Sequence, residues 1–509
     1  MRFNILKHKG QSVINNEGAK VYKLTPEMEL YSSVVTSALQ DQFYEGDTTR
    51  VERIRSLITR NDPAYVAKLA IYARENMYLR SIPIVLAVEL AKVHTGDSLV
   101  SKTVSRIVQR ADEITELLSY YALANVRTDR KKLHRLSKQL QKGLSLAFNK
   151  FDEYQFAKYN RDTEISLRDA LFLVHPKAKD ETQQSLFNKI VDNELEVPYT
   201  WETALSAAGQ VKYDSGKEKL LAVRVTWEGL IDSRKLGYMA TMRNLRNMLE
   251  NNISDAHVYK VCAQLTDETA VLKSKQLPFR FLAAYRELKK VPHGLTGYVQ
   301  EALETALKLS VQNLHGFDNR TRVVIACDVS GSMQQPVSAK SKILYYDIGL
   351  MLGMLLQYKC HHVVSGIFGD TWKTVSLSRN SILSNVDAFY KREGEVGYST
   401  NGYKVLEDLV ARRYVADKIM LFTDCQMWDS TSGNTNNANT LNAQWQLYKK
   451  IAPEAKLYLF DLAGHGAIPL NIREQNVYLI AGWSDKVFEV MEGIDQGASA
   501  VEHIHAITV

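Results

Sequence analysis

From about residue 25 to residue 315 the apolar positions recur at helical spacing. Val66, Leu69, Ala70, Ala73 and Met77 mark one helix, and Val100, Val104, Ile107, Val108 and Ala111 a second. Ile114, Leu117, Leu118 and Tyr121 mark the next. Ile84 to Val93 is apolar almost all round and is entered through Pro83, which predicts a buried helix. Connectors such as His94-Thr95-Gly96-Asp97 are short. No alternation of period two interrupts this stretch, so the pattern predicts stacked helical pairs.

Past Gly316 the pattern changes. Arg322 to Cys327 is a short β-branched apolar run. Ser341 to Leu356 reads as a long helix. His362 to Phe368, Ile419 to Phe422, Leu457 to Phe460 and Asn476 to Ile480 are further strands, with helical stretches between them. Apolar strands alternating with helices predict a mostly parallel sheet covered on both faces. The polar run Ser430 to Asn439 reads as a surface loop. Two domains follow: a helical one over residues 1–315 and an α/β one over residues 316–509.

Composition narrows the class. The chain has 509 residues, 45% hydrophobic and 24% charged, which fits folded globular protein. Its four cysteines include no C-x-x-C pair, so zinc fingers of the common spacing are excluded and a reducing compartment is expected. No apolar run reaches the roughly 18 residues of a membrane span, and the N-terminus lacks the apolar core of a signal peptide, so a cytoplasmic protein is expected. Residues 316–509 hold 18 basic and 20 acidic side chains, whereas residues 1–315 hold 46 and 37. All the excess positive charge therefore lies in the helical part, which suits a polyanion partner.

The sharpest chemical pattern follows the first strand. Asp328-Val329-Ser330-Gly331-Ser332 places a carboxylate and two hydroxyls two residues apart in a loop at the carboxyl end of a strand, where open parallel sheets bind ligands. Thr400 lies in a later polar loop, and Asp424 ends another strand. Oxygen-only ligands suit a hard divalent cation, Mg2+ above all. This D-x-S-x-S set resembles the metal-ion-dependent adhesion site of von Willebrand factor A domains. The resemblance implies Asp328, Ser330, Ser332, Thr400 and Asp424 as ligands, with a coordination position left for a partner's carboxylate. No general base accompanies the set, so a non-catalytic role is expected.

In the helical part, Ser166 begins a helix as an N-cap with Asp169 three residues on, and the helix ends at His175 before Pro176. The phrase Ser166-Leu167-Arg168-Asp169, an apolar run, then His175-Pro176-Lys177 resembles the TROVE module of Ro ring proteins. Arg243-Asn244-Leu245 and Leu277-Pro278-Phe279-Arg280-Phe281 fit the same family. The resemblance implies a HEAT-like α-helical repeat ring closed by a Rossmann-like von Willebrand A domain, an α plus α/β multidomain fold. It also implies a monomeric ring with no catalysis of its own. The basic hole would take 3′ ends of misfolded noncoding RNA, and the outer surface small Y-like RNAs. An exoribonuclease of the polynucleotide phosphorylase type is an implied partner. The family's RNA-contacting lysine and histidine fall on Lys158 and His175. Its next basic position falls on Asp162, with Arg161 beside it. Lys138 and Lys142, one helical turn apart, match further basic positions, and Arg168 shares the His175 segment. The alternative reading is a metal-dependent protein-interaction scaffold acting through the A domain.

Overall fold

The structure, a computed structural model, describes residues 12–14, 20–36, 48–125, 136–160, 163–311, 317, 320–337, 341–427, 440–464, 467–470, 476–483, 486–495 and 501–509. The chain forms two compact units, interleaved in sequence. One gathers residues 1–38, 277–279 and 311–503; the other gathers residues 39–276, 280–310 and 504–509.

The first elements are strands β1 (Ser12–Ile14) and β2 (Lys20–Lys23) and helix α1 (Pro26–Val35). A run of helices follows. It begins with α2 (Thr48–Thr59), α3 (Pro63–Glu75), α4 (Ser81–Val93), α5 (Leu99–Ile107) and α6 (Asp112–Ala124). It continues through α7 (Lys138–Phe148), α8 (Glu153–Tyr159), α9 (Leu167–Val174), α10 (Glu181–Asp192), α11 (Trp201–Gln210) and α12 (Gly216–Asp232). It ends with α13 (Tyr238–Glu250), α14 (Asp255–Leu265), α15 (Glu268–Ser274), α16 (Pro278–Leu288) and α17 (Thr296–Ser310).

Local chemistry sets the boundaries of these helices. Asp62 caps α3 by accepting the Ala64 N–H at 2.7 Å, with Pro63 in the first helical position. Ser166 and Asp169 form a reciprocal capping box at the start of α9, and His175 closes it in a left-handed conformation with φ 49°. Helix α4 is buried from Ile82 through Leu90, as its all-round apolar sequence demands. Each such Leu, Ile or Val removed from water contributes about 1.5–3 kcal/mol. Helix α7 lies close on α5 because Gly143 has no side chain: a Cβ there would fall 2.6 Å from Val104 Cβ.

Buried charge is managed at one point. Glu113 accepts the Arg74 guanidinium at 2.8 Å with one oxygen and the N–H groups of Gln109 and Arg110 with the other. Beside it, Arg80 bridges Asp112 and Glu116, each at 3.1 Å.

The other unit is built on a six-stranded mixed sheet. Its elements are β3 (Arg322–Asp328), α18 (Tyr345–Lys359), β4 (His362–Phe368), β5 (Trp372–Thr374), α19 (Leu383–Tyr390), α20 (Tyr403–Ala411), β6 (Lys418–Thr423), α21 (Leu441–Ile451), β7 (Lys456–Asp461), β8 (Ala467–Ile468), β9 (Val477–Ala481) and α22 (Val487–Asp495), with a last short helix α23 (Glu502–His505) beyond. The strand order is β5-β4-β3-β6-β7-β9, parallel except for β5. Every residue of β6 is buried, and β3 is buried after its first residue, which accounts for their continuous apolar runs. Helix α18 packs closely over this sheet through Gly349 and Gly353, where a Cβ would come within 3.0 Å of Leu462 and of Cys327 and Ile325 respectively.

Three features of this unit depart from the sequence reading. The helix expected from Ser341 starts at Tyr345, where the Asp347 carboxylate accepts the Leu344 N–H at 2.9 Å. The edge strand β5 is too short and too polar to leave a periodic trace. The N-terminal segment joins the sheet unit: β2 pairs with β8, and the α1 hydroxyls of Tyr31 and Ser32 donate to Ala481 O and Asp461. The polar run Ser430 to Asn439 lies outside the described residues. No helix among the described residues is long and apolar enough to cross a membrane.

Candidate functional site

The helical unit contains an open cleft of about 930 Å3, walled by the C-terminal half of α8, the segment leading into α11 and the start of α13. Lys158 stands on its wall, exposed, with its ammonium 5.7 Å from the ring centres of both Tyr154 and Tyr159. Lys235 lies 5.4 Å from the Tyr199 ring, and Arg243 and Trp201 also face the cleft. The Trp201 indole stacks on buried Trp227, interplanar angle 17°, which fixes its orientation.

The cations of this cleft differ in what they have left to bind. Arg110 lies 4.4 Å over the Tyr159 ring, but its guanidinium is spent on a two-point contact with Asp112 at 3.0 and 2.7 Å. Lys158, Lys235 and Arg243 form no ion pair with any described residue. Two acids, Glu196 and Glu202, share the wall. Half-exposed tyrosines interleaved with uncommitted cations can hold phosphates and stack bases. Burial raises the Tyr159 phenol above its ordinary range, so the ring stays neutral.

The sequence candidates for RNA contact separate in space. Lys158 enters the cleft. Lys138 and Lys142 lie on the exposed face of α7, and Arg168 and His175 on the exposed face of α9. Gln141 Nε2 ties the two helices by donating to Val174 O at 3.1 Å. Arg161 and Asp162 lie outside the described residues. Lys235, Tyr199 and Arg243 were not among the candidates. Arg243 entered the sequence reading only within the Arg243-Asn244-Leu245 phrase, and nothing in the sequence marks Lys235 or Tyr199; the fold assembles them.

In the sheet unit the oxygen-bearing residues converge on one edge. Asp328 ends β3, and Asp424 follows the end of the adjacent β6. Gly331 N donates to Tyr398 O at 3.0 Å, which ties the Ser330–Ser332 loop to the loop carrying Thr400. Ser330 Oγ and Ser332 Oγ are 3.3 Å apart. Asp328 Oδ1 accepts the Ser330 N–H at 2.9 Å and Oδ2 the Thr423 hydroxyl at 2.6 Å, while Asp424 Oδ1 accepts the Gln426 N–H at 2.9 Å.

Asp328, Ser330, Thr400 and Asp424 are buried, and Ser332 is open to solvent. No cationic side chain among the described residues pairs with either carboxylate. Burial and the charge of Asp424 push Asp328 up to about 7. Two buried carboxylates with neighbouring hydroxyls and no cationic side-chain partner among the described residues fit a small divalent cation, whose charge would offset their repulsion. Thr423 is the residue the sequence reading missed here. Its place, last in β6 and beside Asp328 in the sheet, was its only trace. Cys425 follows Asp424 with φ 59°, and burial pushes its thiol far up, so it is a silent neighbour. All four cysteines are free and buried.

The TROVE domain family matches residues 26–200 and 192–296, more than half of the chain. Telomerase protein component 1 of Rattus norvegicus is 26% identical over 317 residues, which cover 48% of this chain and 12% of that protein. The Mus musculus protein of the same name is 26% identical over 318 residues, with the same shares. The match thus spans about an eighth of the length of these curated relatives. Among solved structures, the Ro (Rsr) protein of Deinococcus radiodurans is similar with a TM-score of 0.59 at 15% identity, over 91% of this chain and 97% of that one. At that identity the likeness is one of fold.

Proposed function

This chain belongs to the TROVE domain family, and we propose that it is a Ro-type RNA-binding protein that scaffolds noncoding RNA without catalysing a reaction. The observation that carries this is the cleft of the helical unit, where Lys158, Lys235 and Arg243 have no carboxylate partner among the described residues and stand beside Tyr154, Tyr199 and Trp201. Uncommitted cations neutralise phosphates, and the rings accept bases of any identity by stacking. The finer parts of the proposal follow the family: a HEAT-like ring closed by the sheet unit, 3′ ends of misfolded RNA in the basic hole, and a Y-like RNA on the α7/α9 side. Association with an exoribonuclease of the polynucleotide phosphorylase type, a monomeric state and a cytoplasmic location belong to it too.

The test is fluorescence anisotropy with a hairpin RNA carrying a single-stranded 3′ tail. Binding that weakens by orders of magnitude between about 50 and 200 mM salt is expected. No binding at the lower salt would overturn the reading.

A second reading concerns the sheet unit and is compatible with the first. Asp328, Ser330, Ser332, Thr400 and Asp424 would hold Mg2+, in the manner of a von Willebrand A domain, and the ion would present a coordination position to a partner's carboxylate. The paired buried carboxylates, with no cationic side-chain partner among the described residues, favour it. Calorimetric titration with Mg2+ or Mn2+ tests it, and an unchanged heat signal after Asp424→Ala would count against it.

A further inference from the structure

Helices α7 and α9 pack side by side, and each buries one face. Leu140, Gly143, Leu144 and Ala147 face inward from α7, and Leu167, Ala170 and Val174 from α9. The opposite faces lie in solvent. On α7 that face carries Lys138, Lys142 and Leu146, four residues apart. On α9 it carries Arg168 and Phe172, one turn apart, with exposed His175 following as the helix cap.

Phe172 is the odd member. Half of its surface, 50%, is exposed, although α9 already has enough inward-facing apolar residues to dock. The Arg168 guanidinium lies 6.0 Å from its ring centre. Lys138, Lys142 and Arg168 have no carboxylate partner among the described residues. The nearest acid on α9, Asp169, is consumed by the capping box with Ser166 at 2.7 and 3.0 Å. His175 is held at the end of the helix by backbone geometry, its left-handed φ and its N–H donated to Leu171 O at 2.9 Å.

The core of a protein-docking face is depleted of charged side chains, lysine among them. Here the open ring has the Arg168 guanidinium beside it, and the outward face of the neighbouring helix carries Lys138 and Lys142, a combination that suits a nucleobase stacked beside its phosphates. Resting on the RNA-binding reading above, we infer that Phe172 is a stacking platform for one unpaired nucleobase. Arg168, Lys138 and Lys142 take the flanking phosphates. A continuous duplex cannot use the ring, because its base faces are already stacked on each other. The α7/α9 surface therefore selects RNA with a loop or bulged base beside a helix.

The test uses the full chain, a hairpin RNA with 2-aminopurine at a loop position, and a fully paired duplex of equal length. The wild type should bind the hairpin more tightly than the duplex and change the 2-aminopurine fluorescence. Phe172→Ala should weaken hairpin binding about 5- to 100-fold, abolish the fluorescence change and leave duplex binding and the salt slope unaltered. Phe172→Trp should restore both signals. Lys142→Ala should instead flatten the salt slope by about one. Unchanged hairpin affinity and fluorescence in a folded Phe172→Ala protein would overturn the stacking role alone. A wild type that binds neither RNA would overturn this inference and the RNA-binding reading together.

Discussion

Thr423 donates its hydroxyl to Asp328 Oδ2 at 2.6 Å, across the adjacent parallel strands β6 and β3. The bond orients the carboxylate that begins the D-x-S-x-S loop, with the Ser330 N–H holding its other oxygen. Thr423→Val keeps the shape and removes the donor. Outer hydrogen bonds of this kind are worth roughly 10- to 100-fold in metal affinity. On the proposed metal reading, Mn2+ binding followed by electron paramagnetic resonance should weaken by that order, and the metal-free protein should lose about 1–3 kcal/mol because Asp328 Oδ2 and the Cys425 N–H, which Thr423 Oγ1 accepts at 3.2 Å, are left unpaired.

Burial pushes Glu116 up to about 7, helped by Asp112 and Glu113 and opposed by Arg80 and Arg110. Its folded value therefore lies above its unfolded value of about 4.5. The stability this contributes is fully present below pH 4.5 and is lost as pH rises through 7. Glu116→Gln should remove that dependence. At pH 8 the variant should be more stable than the wild type by about 1–3 kcal/mol, read as a higher melting temperature, and the two should converge near pH 5.

Gly143 and Gly229 both sit inside helices, where alanine is favoured by about 1 kcal/mol. Their surroundings reverse the outcome at one of them. A Cβ at Gly143 would meet Val104 Cβ at 2.6 Å and Ser101 O at 2.7 Å, whereas one at Gly229 meets nothing within 4 Å. Gly143→Ala should destabilise by about 1–3 kcal/mol. Gly229→Ala should stabilise by about 0.5–1 kcal/mol. Chemical denaturation of the two variants side by side gives both signs in one experiment.

Among the cleft cations, Arg243 is uncommitted and Arg110 is paired with Asp112. Arg243→Ala should weaken RNA binding and lower the slope of log affinity against log salt by about one. Arg110→Ala should leave that slope unchanged and act on stability, because Asp112 loses its two-point contact and keeps Arg80 at 3.1 Å. Equal slopes for the two variants would contradict the assignment of the cleft as a phosphate-binding surface.

The strands of the sheet were legible because they are buried on both faces and so read as unbroken apolar runs, β3 and β6 above all. The helices were legible through their period and their caps, Ser166 and Asp169 being the clearest. The oxygen set at Asp328, Ser330, Ser332, Thr400 and Asp424 was named through its likeness to the adhesion motif of von Willebrand A domains, with the D-x-S-x-S phrase after β3 as its anchor. What escaped was everything decided by distant pairing. Ser32 meets Asp461 across 429 residues, and no local pattern announces it. Nor does the sequence say that Arg110, just before α6, is neutralised while Arg243, inside α13, is not. Phe172 read as one more apolar residue of α9 until its exposure was known.

The hydrogen bonds from α1 to β7 and β9 impose an order of events during translation. Tyr31 and Ser32 leave the ribosome first, yet their acceptors, Ala481 and Asp461, lie 450 and 429 residues further on. At about 5–20 residues per second, α1 waits roughly 20–90 seconds for its binding surface to be made. The whole helical array from Thr48 to Ser310 emerges in that interval. A nascent chain stalled before β7 therefore displays Leu30, Val34 and Val35, all fully buried at completion, as a sticky leader open to trigger factors, proteases and neighbouring nascent chains.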